Sequence, residues 1–473
     1  MTTDLDHRPV PAPTGLRLSR AAGHGRPAAP VRIVHLGLGN FFRAHQAWFT
    51  DNAPDAADWG IAAFTGRSRT VADALAPQDG LYTLVTRAPD GERLRVVSSL
   101  SAAHGGDEHD AWLGYWADRA VTVATFTVTE AGYVRAADGG LDTDHPDVRA
   151  DVATLRADRH APVRTAPARV VAGLRLRRAT GAGPMTLLPC DNLPENGPAL
   201  RRVVLDLADL VDPALAAWIA AEVAFGTTTV DRITPATTDA VRESVRAATG
   251  LADAAPVRTE PFAEWVVAGE FPGGRPAWEE VGAQVVDDVL PFEHRKLWLL
   301  NGAHSMLAYA GTLLGHETVA DAVADPRLRG WVEGWWDEAA RHVPLPADDL
   351  AAYRRALLDR FGNPRIEHRL AQIAADGSEK LPVRVVPVLR AERAAGRVPT
   401  GAATTLAAWV LHLRGGAAAV AEARPERVAG LADGTLDDAV RAVVARLAPD
   451  LAGDVALVDA VRERARALAA LRG

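Results

Sequence analysis

Val31-Arg-Ile-Val-His-Leu36, then Gly37-Leu-Gly39, then Asn40-Phe-Phe-Arg-Ala-His-Gln-Ala-Trp48, is the stretch whose reading decides the fold. A short β-rich run, a Gly-x-Gly turn and the start of a helix follow one another without a gap. In that arrangement the free amides of the first helical turn and the helix dipole face an anion. The third glycine of the dinucleotide fingerprint is replaced by Phe42. The turn is therefore either a plain tight turn or a pyrophosphate cradle, and its place before a helix near the start of the chain favours the cradle. Gly37, Leu38, Gly39, Asn40 and Phe41 are its candidate residues.

Working outward, Gly60-Ile-Ala-Ala-Phe-Thr65 reads as a second strand. An acidic residue after it commonly receives the ribose hydroxyls of NAD, but here the sequence continues Gly66-Arg-Ser-Arg69. Arg67 and Arg69 either accept the 2′-phosphate of NADP or sit in solvent. Further strands are expected at Leu94–Ser98, Val121–Thr129 and Pro184–Cys190, and helices at about Pro167–Arg178 and residues 213–225. Strands alternating with helices predict a doubly wound, largely parallel α/β sheet of Rossmann type. Asn192, in Asp191-Asn-Leu-Pro-Glu-Asn-Gly197, follows a strand end where ligands bind in such sheets, although an Asn-rich turn is equally good helix-capping chemistry. Asp231-Arg232, in Gly226–Pro235, reads by spacing alone as no more than a salt bridge.

With 473 residues the chain accommodates two or three domains. The character changes near residue 282 to Ala, Leu, Arg, Glu and Asp at helical spacing. We expect a flexible segment over residues 1–30, a dinucleotide-binding domain over 31–281 and a mostly α-helical domain over 282–473. A net charge of −8 with scattered arginines gives no nucleic-acid footprint. No apolar run approaches the ~20 residues of a membrane span, and the N-terminus lacks the apolar core of a signal peptide. The single cysteine, Cys190, excludes an intrachain disulfide and fits the cytoplasm. Neither it nor the 14 histidines form a metal-spaced cluster, so no metal is expected.

Of the 52 Lys and Arg residues only Lys296 and Lys380 are lysines. A lysine amine can be driven neutral, whereas arginine stays charged, so Lys296 is a candidate general base. It lies in Pro291-Phe-Glu-His-Arg-Lys-Leu-Trp-Leu-Leu-Asn-Gly-Ala-His304, with good helix formers continuing to Ala310. At about 100° per residue, Glu293, Lys296 and His304 fall within roughly 80° of one another and Asn301 lies about 60° beyond. One face then carries an acid, an amine, an amide and an imidazole; the bland alternative is a partly buried helix with internally satisfied polar groups. No tyrosine has a lysine four residues on, which closes the Tyr-x3-Lys route to alcohol oxidation.

Taken in order, Gly37-x-Gly39 with Phe-Phe-Arg-Ala-His-Gln46, Thr127-Val-Thr-Glu130, Cys190-Asp-Asn-Leu-Pro-x-Asn-Gly197, Val230-Asp-Arg-Ile-Thr-Pro235 and Lys296-x4-Asn301-x2-His304 resemble the long-chain polyol and aldonate dehydrogenases, the mannitol 2-dehydrogenase and fructuronate reductase (mannonate oxidoreductase) family. The resemblance covers residues 31 to about 385. It implies a Rossmann-type domain, a helical C-terminal domain, metal-independent oxidation of a secondary alcohol, and NAD as coenzyme, with NADP the alternative. It implies Lys296 as base, Asn192 and Asn301 as donors to the reacting oxygen, His304 as an orienting group and Glu293 as a proton exit. Arg67, Thr129, Glu130, Val230 and Asp231 would line the cofactor; Asn192, Asp231, His368, Gln372 and Lys380 would line a sugar alcohol or sugar acid. Mannitol-type members have an arginine where this chain has Gln372, and His368–Arg384 looks more like the hexuronate-reducing branch. A terminal carboxylate would then meet Arg365, Arg369 or Arg384. Mannitol/fructose chemistry, another hexitol or pentitol dehydrogenase, and a non-catalytic nicotinamide-binding protein are the alternatives; a monomer or small homo-oligomer is expected.

Overall fold

The computed structural model describes residues 16–415 and 421–471. It divides into two compact units, Met1–Val289 and Leu290–Gly473.

The first unit is built on six parallel strands: β1 (Val31–Leu36), β2 (Gly60–Phe64), β3 (Leu100–His104), β4 (Val123–Phe126), β5 (Met185–Pro189) and β6 (Val223–Phe225). Their order across the sheet is β3-β2-β1-β4-β5-β6, with every neighbouring pair parallel. Both faces are covered, which is why these strands are near-continuous apolar runs. Val34, Ala62, Phe64, Ala124 and Leu187 pack on one side against Trp112, Trp116, Val170 and Leu207. Ile33, Ile61, Ala63, Val123 and Leu188 pack on the other against Phe42, Phe49, Trp265 and Trp278. The chain reverses its winding between β1 and β4, and the carboxyl ends of that pair are where such sheets bind ligands.

Three expectations are corrected here. Leu94–Ser98 does not join the parallel sheet: Gly91–Val97 pairs antiparallel with Tyr82–Ala88 in a separate hairpin, and Leu100–His104 supplies the third strand. The helix expected over residues 213–225 ends at Glu222, and its last three residues form β6. The segment up to residue 30 is not loose from residue 16 onward. Leu16–Arg17 pairs with Leu251–Ala252, Leu18 is fully buried, and the Arg20 guanidinium donates to the Ser98 and Leu100 carbonyls at 2.9 and 2.7 Å. Residues 1–15 lie outside the described residues.

The second unit is helical. Its helix Thr400–Leu413, buried from Gly401 to His412, is capped by Glu338, which accepts from the Gly401 and Ala402 amides at 2.7 and 3.1 Å. The helix carrying Lys296 is not regular. Leu290–Arg295 is α-helical, Lys296–Gly302 is π-helical, Ala303–Met306 is α-helical and Leu307–Gly311 is π-helical again. The Trp335 and Trp336 indoles each donate at 2.8 Å into the first π stretch, to the Trp298 and Leu299 carbonyls. Thr312 donates to the Ala308 and Tyr309 carbonyls in the second. Side-chain donors inserted into the carbonyl ladder are a recognised cause of such departures. Gly302 is required for the first: a Cβ there would stand 2.7 Å from the Trp335 indole.

Candidate active site

In the first unit the glycine turn lies at the carboxyl end of β1. Gly37 has φ +117°, and a Cβ on it would lie 2.3 Å from the Thr127 carbonyl oxygen, so packing alone demands glycine. Gly39 differs: its φ is −117°, and the nearest atom to an added Cβ is 3.6 Å away. Among the described residues nothing else lies within 4 Å of that space. A backbone left bare where the protein itself has room fits the close approach of a pyrophosphate. Phe42, at the third fingerprint position, is fully buried and stacks on His35 with ring centroids 3.5 Å apart. The helix expected to run through Trp48 is broken at His45 into Asn40–Ala44 and Gln46–Asn52.

A hydrogen-bonded chain locks the turn. The Thr127 hydroxyl donates to the Gly37 carbonyl at 2.8 Å, His35 Nε2 lies 3.1 Å from that hydroxyl, and His35 Nδ1 lies 2.8 Å from the Thr125 hydroxyl. Burial pushes the His35 imidazole down to about 3, so it is neutral. Asn40 is committed to the scaffold, donating to the Pro235 carbonyl at 3.0 Å and accepting from Arg43 at 2.6 Å. Leu38 is buried and Phe41 partly so.

At the carboxyl end of β4, Thr129 and Glu130 are exposed and open a turn whose Tyr133 hydroxyl donates to Asp191. Burial raises the Asp191 carboxyl to about 6. Asn192 follows, exposed, while Asn196 is the structural asparagine of that motif, exchanging bonds with Thr228 at 3.0 Å. Val230 and Asp231 end the strand Thr227–Asp231 and are buried. The Arg232 guanidinium donates to the Glu260 carbonyl at 3.1 Å and to that of Ala44. Arg67 stands apart, exposed beyond β2.

In the second unit Lys296 is 8% exposed and begins the π stretch. The wider turn corrects the geometry read from regular helical spacing. Residues five apart lie about 140° apart on an α-helix, but i→i+5 bonding brings them nearly above one another. Lys296 and Asn301 therefore share a face because the helix is not α there. Asn301 is half-buried, and its side-chain amide has no hydrogen-bond partner among the described residues. Glu293, one turn before Lys296, is half-buried.

His304 is 7% exposed, with the Phe361 ring at 4.7 Å and the His368 ring edge-on at 5.1 Å. Burial, then His368, Arg360 and Arg384, hold it well below its ordinary range, so it is neutral. Arg384 donates to the Ser305 hydroxyl at 3.4 Å and loses basicity to burial. Arg360, buried on the helix Ala347–Phe361, was not singled out in the sequence; an arginine at an apolar helical position was the one available signal. Of the other candidate carboxylate ligands, Arg365 is exposed, and Arg369, also exposed, reaches Glu317 at 3.4 Å. Gln372 is exposed, and Lys380 donates to the Ile373 and Ala375 carbonyls at 3.2 and 2.6 Å. Among the described residues, no three His, Cys, Asp or Glu side chains gather as a metal set, and no helix is long and apolar enough to cross a membrane.

A 3-2-1-4-5-6 parallel sheet with a bare glycine turn at its switch point, joined to a helical unit bearing a buried lysine, an amide and a neutral imidazole, defines a Rossmann-type secondary-alcohol oxidoreductase. Residues 31–280 match the mannitol dehydrogenase Rossmann domain and residues 288–463 the mannitol dehydrogenase C-terminal domain. The chain belongs to the mannitol dehydrogenase family. It is 39% identical to D-mannonate oxidoreductase of Escherichia coli over 81% of this chain and 80% of that protein. It is 38% identical to mannitol 2-dehydrogenase of Cereibacter sphaeroides over 83% of each. The solved Pseudomonas fluorescens mannitol 2-dehydrogenase, a ternary complex with NAD and D-mannitol, is 34% identical, with a TM-score of 0.76 over 93% of this chain and 92% of that one.

Proposed function

We propose that this chain is an NAD-dependent dehydrogenase that interconverts a hexonate, D-mannonate foremost, with its keto-acid, D-fructuronate, using Lys296 as general base. The observation that carries the reading is the buried Lys296 at the head of a π-helical stretch, whose wider turn supports a shared face with Asn301. NAD, when bound, supplies the hydride acceptor. The Lys296 amine takes the proton of the carbinol hydroxyl as the C–H bond gives up its hydride, and Glu293 passes that proton outward. The Asn301 amide donates to the oxygen while its charge develops; Asn192 has the same role by family resemblance. His304, neutral, orients a substrate hydroxyl. Gly37 to Phe41, Thr129, Glu130 and Val230 are assigned to the coenzyme, and Asp231, His368, Gln372 and Lys380 to the substrate.

A sugar acid is favoured over a polyol by two guanidiniums, Arg360 and Arg384, whose charges act on His304. A forked cation desolvated at a polar site suits a carboxylate. The second reading, D-mannitol with D-fructose, is supported by the likeness to mannitol 2-dehydrogenases. A panel of D-mannonate, D-altronate, D-mannitol, D-arabinitol and D-sorbitol with NAD and NADP, run beside Lys296→Arg, tests both parts. D-mannonate should give the highest kcat/KM, and Lys296→Arg should lower kcat by about 10²–10⁴-fold because the guanidinium keeps its proton. Equal or better turnover of D-mannitol overturns the sugar-acid assignment, and an active Lys296→Arg removes the base.

A further inference from the structure

Beyond β2, where the acid that recognises the ribose of NAD is commonly placed, this chain has Gly66 and Arg67. The loop after β3 lies directly against that point. The Thr65 amide donates to the His104 carbonyl at 3.0 Å, the Gly106 amide donates to the Thr65 hydroxyl at 2.9 Å, and a Cβ on Gly106 would lie 2.3 Å from the Gly66 carbonyl oxygen. This contact carries Asp107 and Glu108 to Arg69. Arg69 Nη1 lies 2.5 Å from Asp107, its Nη2 3.0 Å from Glu108, and its Nε 3.4 Å from Asp73. Glu108 is fixed in turn, accepting from the Gly105 amide at 2.8 Å, with His104 Nδ1 at 2.7 Å from its other oxygen. All three nitrogens of the guanidinium thus face carboxylates, and a third arginine, the buried Arg169, donates to the Thr65 carbonyl at 3.4 Å and acts on Asp107.

We infer that Asp107 and Glu108 set the choice of coenzyme. By occupying Arg69 at the end of β2, they supply from the β3 loop the discrimination against a ribose 2′-phosphate that the residue after β2 does not provide. The inference rests on the nicotinamide-dependent reading above and deepens it. A 2′-hydroxyl can donate to a carboxylate, whereas a 2′-phosphate brings like charge and finds its natural ligand already engaged. Asp107 and Arg69 are partly exposed, with side chains 65% and 44% accessible, so no single pair is strong. The discrimination comes from the set.

Binding of adenosine phosphates tests this without turnover. Calorimetric titration with 2′,5′-ADP and with 5′-AMP should show the wild type preferring 5′-AMP. Asp107→Ser and Asp107→Ser/Glu108→Gln should shift the affinity ratio toward 2′,5′-ADP by about tenfold or more, and the shift should shrink as salt is raised. Adding Arg69→Ala to the double variant should abolish most of the shift, because the released guanidinium is the phosphate ligand. An unchanged ratio in both acid variants overturns the inference, as does a shift that survives Arg69→Ala intact. A wild type that binds neither nucleotide and turns over neither NAD nor NADP instead overturns the functional reading beneath it.

Discussion

His35 has both ring nitrogens next to threonine hydroxyls, and the direction of the chain follows from its last link. Because the Thr127 hydroxyl donates to the Gly37 carbonyl, it accepts from His35 Nε2, leaving Nδ1 to accept from Thr125. The imidazole is therefore held as one neutral tautomer beneath the glycine turn. Its folded-state pKa of about 3 lies below the unfolded value of 6.5, so the unfolded chain binds the proton first and stability falls with pH through that window. Between pH 6.5 and 5, before most carboxylates titrate, this one group should cost about 2 kcal/mol. Denaturant unfolding of the first unit at pH 7 and pH 5 should show that loss in the wild type and a shallower one in His35→Asn; equal slopes would refute it. His304 was legible because it belongs to a cluster of unlike polar groups on one helix. His35 was not: a histidine inside an apolar strand says nothing until Thr125 and Thr127 are placed beside it by the parallel pairing of β1 with β4.

At the scale of the element, regular helical spacing puts Glu293, Lys296 and His304 on one face, and the two π-helical stretches alter that geometry. The five-residue interval to Asn301 was the sign, since an α-helix turns those two side chains away from each other. What widens the turn lies on another helix, where Trp335 and Trp336 reach the carbonyls, and no local sequence rule anticipates a partner 37 residues on. Gly302→Ala puts a methyl group into the Trp335 indole and should cost about 1–3 kcal/mol in the manner of overpacked cores. If the indole holds the turn open, kcat should fall as well, through displaced Asn301, with coenzyme affinity unchanged. A variant with normal melting and normal kcat would sink this account. The strands show a similar limit: Leu94–Ser98 and Leu100–His104 are both short and partly apolar, and only pairing with Tyr82–Ala88 or with β2 separates them.

At the scale of the whole molecule, arginine does most of the anchoring among the described residues, although Lys380 also donates to the Ile373 and Ala375 carbonyls. Buried arginines tie main-chain carbonyls together. Arg177 alone donates to those of Gly183, Ala182, Pro184 and Trp116 between 2.9 and 3.2 Å, and Arg43 and Arg232 do the same near the glycine turn. The rigid fork of five donors makes this possible. The change of composition near residue 282 was readable, and the units part a little later, at Val289 and Leu290, where the irregular stretch gives way to the helix. The ordering of residues 16–30 was not readable, because it depends on carbonyls of Ser98 and Leu100 that a polar, proline-rich segment does not announce.

This reliance on arginine has a spectroscopic consequence. Reductive methylation with carbon-13 formaldehyde would label two side-chain amines, those of Lys296 and Lys380, together with the chain's α-amino group. Each dimethylamine then reports its own protonation by its chemical shift, without a mutation and without crowding from other lysines. Substrate analogue added with coenzyme should move the Lys296 resonance and its titration midpoint. A Lys296 signal that ignores both ligands would mark that amine as a bystander.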